Sequence, residues 1–412
     1  MNLRNYILVT GAYWGFTLTD GALRMLVLLH FFQLGYSPVT LAFLFLLYEF
    51  FGIVTNLLGG WIASRMGLRV TLVAGLAIQV VALGMLALLN PQWSEVTSVA
   101  WVMVSQALSG IAKDLTKMSS KSAIKVLVPA DAKGALFKWV AVLTGSKNAL
   151  KGAGFFVGGF LLATAGFSGA LWIMAGGLAV VWLASWASLP REMGKAKSKA
   201  GWRDLFSKSR EINVLCAARF FLFGARDIWF VVGVPVFLRG VLGWSFPQVG
   251  AFMAFWVIGY GIVQGSAPAI LRGRAPAGGT AAGIAFALAA VSAAIPLSLT
   301  VGLPPHVVIV GGLAVFGAIF ALNSAVHSYL ILDYTDGDKV ALNVSFYYMA
   351  NAGGRLVGCL LSGLLYQLAG LAGCLWGAFV FAAVAAGVAL KLPREALHAE
   401  KLSLATVRAD GE

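Results

Sequence analysis

Lys147 and Lys151 lie four residues apart in an apolar run, with Asn148 beside the first and no acid within one helical turn of either. Four residues is about one turn, so both ammonium groups project from the same helix face. An ammonium among apolar side chains needs an anion, a partner from another segment, or loss of its proton. Arg355 makes the same demand, with Asn351 one turn before it. Arg24 follows Asp20 by one turn, and Arg219 and Arg226 are seven apart, again on one face, with Asp227 next to the second. Glu49, Asn323 and His327 also fall inside apolar runs. Arg meets a planar oxyanion with two parallel hydrogen bonds, whereas Lys acts as a mobile point charge. Several together suit phosphate, arsenate or a polycarboxylate. For Asp20–Arg24 and Arg226–Asp227, substrate contact and mutual neutralisation in structural ion pairs stand as equal readings. For Lys147, Lys151 and Arg355, anion binding is the favoured reading.

The segments that carry these residues are of one kind. The chain has 412 residues, 60% hydrophobic and 11% charged, with a mean hydropathy of +0.86, which excludes an ordinary soluble domain. A membrane span takes roughly 20 apolar residues, so the length accommodates about a dozen. Twelve spans are expected at about 5–34, 38–63, 69–89, 96–118, 135–165, 169–189, 212–239, 246–270, 278–301, 305–332, 340–368 and 371–391. Turn signals separate them at Gly35 to Pro38, Asn90-Pro91, Gly166 to Gly169, Gly243 to Pro247, Pro304-Pro305 and Gly370 to Gly373. The expected fold class is an all-α membrane protein with twelve transmembrane helices in two pseudo-symmetric six-helix halves. Residues 1–190 form the first half, 191–211 a cytoplasmic linker, 212–393 the second half and 394–412 a cytoplasmic tail.

Charge sets the orientation. Loops at 35–37, 90–95, 166–168, 240–245, 302–304 and 369–370 carry almost no Lys or Arg. The alternate loops and the ends carry Arg65, Arg69, Lys121 to Lys133, Arg191 to Arg210, Arg272, Arg274, Lys339, Arg394 and Arg408. By the positive-inside rule both termini and the central linker are cytoplasmic; a bacterial inner membrane is the expected location. The formal charge of +14 reads as this loop bias and not as nucleic-acid binding. No small-residue cleavage site follows the first apolar run, so the first span is expected to be retained. The linker, with Trp202, Leu205 and Phe206 among basic residues, is either a short interfacial helix or a solvated connection. Lys113, Lys117, Lys121 and Lys125 repeat every four residues from the fourth span into the cytoplasm. The last two read as a solvated face, and Lys113 and Lys117 as candidates for the mouth of an anion path. Cys216, Cys359 and Cys374 are scattered, and the four histidines form no ligand set, so neither a disulfide, a metal nor a cofactor is expected. His327 is either a packed side chain or a proton carrier.

The halves share a weak repeat. Lys147 and Asn351, Lys151 and Arg355, Gly154 and Gly358, and Gly159 and Gly363 each lie 204 residues apart, which puts the fifth and eleventh spans in register. Gly60-Trp-Ile-Ala-Ser64-Arg65-Met-Gly67-Leu-Arg69 resembles the loop signature of the major facilitator superfamily, G-x-x-x-D-R-x-G-R-[RK]. The glycines fall on Gly60 and Gly67 and the basic positions on Arg65 and Arg69. Ser64 replaces the Asp, and Leu68 the first Arg after the second Gly. Gly154-Phe-Phe-Val-Gly158-Gly159 is similar to the superfamily's antiporter motif, G-P-x-x-G-G, with Phe155 in place of Pro. Close helix packing is the favoured meaning of those glycines. In superfamily folds spans one, four, seven and ten line a central cavity, with five and eleven contributing. The resemblance therefore implies that Arg24, Lys113, Lys117, Lys147, Lys151, Arg226 and Arg355 face one chamber.

A narrower resemblance lies in the segments YWGFTLTDGALRMLVLLHF from Tyr13, YEFFGIVTNLLGGW from Tyr48, QALSGIAKDLTKMSSKSAIK from Gln106 and FKWVAVLTGSKNALKG from Phe137. They resemble the ArsJ-type organoarsenical efflux permeases of that superfamily. This implies export of 1-arseno-3-phosphoglycerate, which a glyceraldehyde-3-phosphate dehydrogenase would make from arsenate. It implies alternating access, proton coupling through Asp20, Glu49, Asp227 or His327, and substrate contacts that include Asn323 and Asn351. A monomer is expected, with no enzymatic activity of its own. An organophosphate or phosphate exchanger is the alternative, and a membrane-embedded transferase a more distant one. Cysteines placed at Gln92 and at Ser198 test the orientation. An impermeant maleimide added to intact cells should label the first and spare the second, and the opposite pattern would reverse the topology.

Overall fold

In the computed structural model the backbone is described for residues 3–66, 68–127, 133–190, 209–272, 276–335 and 340–394. Side chains are described within these, except at residues 3, 6, 59–66, 68, 118, 121–127, 133–145 and 340–342. Among the described residues every regular element is a helix. They are α1 (Leu3–Gln33), α2 (Pro38–Leu44), α3 (Leu46–Met66), α4 (Leu68–Ala87), α5 (Glu95–Leu127), α6 (Lys133–Ser188), α7 (Arg210–Phe230), α8 (Gly233–Gly240), α9 (Phe246–Gly265), α10 (Ala267–Ile270), α11 (Gly278–Thr300), α12 (Pro305–Asp333) and α13 (Val340–Ala389).

These helices supply the twelve expected spans. Nine described stretches are long and apolar enough to cross a membrane. Two of them turn back within one helix: α6 at Gly166, and α13 at Ala369 and Gly370, so each provides two spans. The longer, more polar α5 provides the last. Proline explains two breaks. Pro235 and Pro268 have no N–H to offer the carbonyls four residues back, and the helix is interrupted between α7 and α8 and between α9 and α10. Ser37 caps α2 by accepting a hydrogen bond from the Thr40 amide at 3.1 Å, with Pro38 at the first helical position. Five of the six lysine-poor loops turn on a left-handed glycine: Gly35, Gly166, Gly243, Gly302 and Gly370. Such backbone excludes most other residues at little cost to glycine.

Polarity is distributed as a bilayer demands. Trp172, Val180, Trp186, Phe255 and Leu368 are exposed, while Glu49, Asp114, Asp227 and Asn323 are buried. Large apolar side chains outside and charges inside mark a lipid-facing surface.

The chain forms two compact units. The first comprises Met1–Ala200 and Val231–Ile258, and the second Gly201–Phe230 and Gly259–Glu412. Residues Val231–Ile258, which sequence symmetry puts in the second half, cluster with the first unit. Glycine contacts account for this. Gly159 abuts the Phe246 carbonyl, and a Cβ on Gly250 would stand 2.7 Å from the Phe155 carbonyl oxygen, so α6 and α9 meet backbone to backbone. On its other side α6 packs on α1, where Gly158 faces the Ala22 carbonyl and Gly154 the Leu18 carbonyl. In the second unit α13 packs on α7 in the same manner. Gly354 lies against the Phe220 carbonyl, and a Cβ on Gly358 would come within 2.9 Å of the Gly224 carbonyl oxygen. The glycines of the antiporter-like motif are thus packing residues.

Gly158→Val should destabilise the protein by about 1–3 kcal/mol through overpacking. Gly176→Ala, where nothing lies within 4 Å, should leave stability unchanged or slightly raised. Thermal unfolding in detergent compares them, and equal melting temperatures would refute the close approach.

Candidate functional site: buried cation clusters

The charges of the first unit gather where α1, α3 and α5 meet. Arg24 of α1 donates from Nη2 to Glu49 Oε1 of α3 at 2.7 Å, with both side chains buried. The Tyr48 hydroxyl donates to Asp20 Oδ1 at 2.6 Å, so the acid one turn from Arg24 is engaged from α3. The Arg24 guanidinium lies 5.2 Å from the Phe45 ring and 5.4 Å from the Tyr48 ring. On the same tyrosine, the Lys113 ammonium of α5 sits 4.0 Å from the ring centroid. A cation over an aromatic face is held there electrostatically.

The residue that follows Lys113 on α5 centres a network that sequence reasoning did not single out. Asp114 is fully buried. Its Oδ2 accepts from Thr55 at 2.8 Å and from Asn56 at 3.2 Å, and its Oδ1 pairs with the Lys117 ammonium at 2.6 Å. Lys117 also donates to Asn56 Oδ1 at 2.8 Å. Asp114 was visible in the basic run. Asn56 and Thr55 come from α3, 58 and 59 residues away, and nothing local connects them.

Lys147 and Lys151 are half-buried on α6, with Asn148 between them. The absence of a neighbouring acid in sequence leaves open a partner from elsewhere, and neither lysine lacks one in the fold. The Lys151 ammonium lies 5.8 Å from the Phe155 ring.

The second unit holds the densest charge. Asp227 of α7 is wholly buried and takes two arginines. Arg226 donates from Nε to Oδ1 at 2.6 Å, and Arg355 of α13 from Nε to Oδ2 at 3.2 Å. Two guanidiniums thus share one carboxylate. Arg226 is flanked by Phe223, Phe230 and Phe320, at 5.0, 5.5 and 5.5 Å from the ring centroids. Gly358 permits this arrangement, because a Cβ there would stand 2.9 Å from Asp227 Cβ. Among the described residues, Asn351 Oδ1, one turn before Arg355, has no hydrogen-bond partner, nor have the amide atoms of Asn323 or Nδ1 of His327.

The fold therefore assembles the expected residues into several clusters. Asp20, Arg24, Glu49 and Lys113 meet around Tyr48. Lys117 belongs to the Asp114 network, and Arg226, Asp227 and Arg355 form one triad. Of the loop signature, Arg69 donates to the Trp186 carbonyl at 2.6 Å. Gly60, Arg65 and Gly67 lie outside the described residues or side chains, as do Lys121, Lys125 and the linker at 191–208. Among the described residues no group of three or more His, Cys, Asp or Glu is placed to hold a metal ion.

Apolar membrane-spanning helices, with cations buried within each unit, define a multi-pass helical membrane protein. A family profile described as Major Facilitator Superfamily matches residues 7–326, and the chain belongs to that superfamily. No curated protein matches it. Solved structures share the fold at low identity. A mutant of the nucleoside transporter NupG is 15% identical with a TM-score of 0.70, over 94% of this chain and 98% of that one. A D-xylose-proton symporter is 14% identical with a TM-score of 0.69, over 94% and 97%. A POT family transporter in complex with a thioalcohol-conjugated peptide is 13% identical with a TM-score of 0.69, over 94% and 95%. Family and fold make the protein a transporter rather than an enzyme.

Removing Glu49 would leave Arg24 buried beside one fewer acid. Glu49→Gln should cost about 3–5 kcal/mol, whereas Arg24→Met with Glu49→Met should recover most of that loss. Unfolding in nanodiscs measures both, and a double variant no more stable than the single one would refute the pairing.

Proposed function

We propose that this transporter exports a small organic polyanion, namely 1-arseno-3-phosphoglycerate, from the bacterial cytoplasm by proton-coupled alternating access. The observation that carries the anion reading is the triad in which Arg226 and Arg355 divide a single Asp227 carboxylate. Buried cations in excess of their acids favour a negatively charged ligand. Arg24, Lys113, Lys117, Lys147 and Lys151 are proposed as further substrate contacts, with the side-chain amides of Asn323 and Asn351; the Asn323 Nδ2 donor is unpartnered among the described residues. The choice of an arseno-phosphoglycerate rests on the resemblance of the four segments quoted above. A dehydrogenase that forms the compound from arsenate is then the functional partner. Tetrahedral arsenate and phosphate esters are alike in charge and shape, so the same cations would serve an organophosphate exchanger.

Proton entry would drive export. Glu49 and Asp227 each neutralise arginine, and protonating either would strand a buried cation. Asp20 accepts from the neutral Tyr48 phenol, and it is the first carrier proposed here. His327 is the second candidate. Both termini are proposed to be cytoplasmic, and residues 1–190 and 212–393 to be the pseudo-symmetric halves of a monomer.

Uptake of labelled 1-arseno-3-phosphoglycerate into everted vesicles tests the reading. Lys147→Ala and Arg355→Met should each lower the initial rate at subsaturating substrate by roughly ten- to a hundredfold, as expected for losing one charged hydrogen bond. Membrane insertion should be unaffected. Normal uptake by both variants would overturn the site, and stronger competition from 3-phosphoglycerate than from the arseno compound would favour the exchanger.

A further inference from the structure

A further buried cation of the second unit stands outside the triad. Arg219 of α7 is 4% exposed, and its guanidinium carbon lies 3.9 Å from the Phe223 ring centroid and 4.7 Å from that of Tyr347. Its Nη1 donates to the Ser324 carbonyl at 3.2 Å and to the Ser324 hydroxyl at 3.1 Å, and its Nε has no acceptor. None of the ion pairs among the described residues includes it. Tyr260 and Gln264 also donate to the Ser324 hydroxyl, at 3.2 and 3.4 Å. Beside Ser324 on α12 are Asn323 and His327, both buried and both with polar side-chain atoms that have no hydrogen-bond partner among the described residues. Orphaned polar atoms thus gather where a guanidinium is buried without an acid. A native fold rarely leaves either uncompensated.

Arg219 has a fixed relation to the triad. Phe223 lies between them on α7, and the Arg226 guanidinium carbon is 5.0 Å from the centroid of that same ring. The two guanidinium carbons are therefore at most about 8.9 Å apart, the sum of 3.9 and 5.0 Å. A separation within that limit lets a three-carbon chain with an oxyanion ester at each end reach both guanidiniums.

We propose that Arg219 is the second prong of a clamp for a short bis-oxyanion. One end of the ligand is held at Arg226 and Arg355, and the other at Arg219 with the amide of Asn323. The proposal rests on the anion-carrier reading and adds to it a requirement for two anionic groups at a set spacing. A purely structural Arg219, tying α7 to Ser324, would strengthen the fold without discriminating between ligands.

The test uses the full chain in neutral-lipid nanodiscs, with propyl phosphate and a series of alkane bisphosphates of two- to six-carbon spacers as probes. Propane-1,3-diyl bisphosphate should bind about ten- to a hundredfold more tightly than propyl phosphate, with affinity peaking near the three-carbon spacer. In Arg219→Met the ratio of the two affinities should fall to near one. An unchanged ratio in that variant, or no dependence on spacer length in the wild-type protein, would overturn the clamp while leaving the anion reading in place. Absence of binding by every phosphate would overturn the anion reading and the clamp with it. The spacer series needs no substitution and decides the matter even if Arg219→Met fails to insert.

Discussion

A charge in a helix bundle surrounded by lipid must be met by another group; Asp114 and Asp227 meet Lys117 and Arg226 within one helix, and further partners come from a different helix. Arg24 on α1 reaches Glu49 on α3, Asp114 on α5 collects Thr55 and Asn56 from α3, and Arg355 on α13 reaches Asp227 on α7. Apolar side chains cannot select partners as well, because lipid tails satisfy them equally. The polar contacts therefore do two things at once. They keep charged groups tolerable at membrane depth, and they fix which helices of a unit are neighbours and in what register.

Those contacts require backbones to come close, and small residues provide the room. The packing of α6 on α1 through Gly154 and Gly158 is repeated by α13 on α7 through Gly354 and Gly358. Gly154 and Gly358 are 204 residues apart, so the repeat in the sequence is a repeat of helix contacts. The second copy has a chemical consequence, since Gly358 lies against the β-carbon of Asp227. The close approach of α13 is what brings Arg355 to the far oxygen of the carboxylate that Arg226 already holds.

Aromatic rings temper the remaining charge. Arg226 lies among three phenylalanines, Arg219 between Phe223 and Tyr347, and Lys113 over Tyr48. A ring face offsets part of the cost of burying a cation without occupying its hydrogen-bond donors. A carrier must bind its substrate and then let it go. Cations fully neutralised by acids would bind an anion poorly, and wholly unmet ones would hold it too strongly.

Apolar run length, turn residues and loop charge depend only on local composition, and they made the twelve spans legible, including the glycines at which four loops reverse; at the fifth, Pro304-Pro305 was the signal and Gly302 the residue that turns. The family was legible in Gly60 to Arg69 together with the layout of the spans. Local spacing also identified Arg226–Asp227, because those residues are adjacent. It could not supply Glu49 for Arg24, Asn56 for Lys117, or Asp227 for Arg355, which depend on how helices rotate and pack. Nor could it separate Arg219, seven residues from Arg226 on the same face, as the one of the two without an acid. Along one helix, sequence spacing gives direction. Which charge is answered, and which is left for a ligand, depends on the neighbouring helices, and only the tertiary structure brings those into contact.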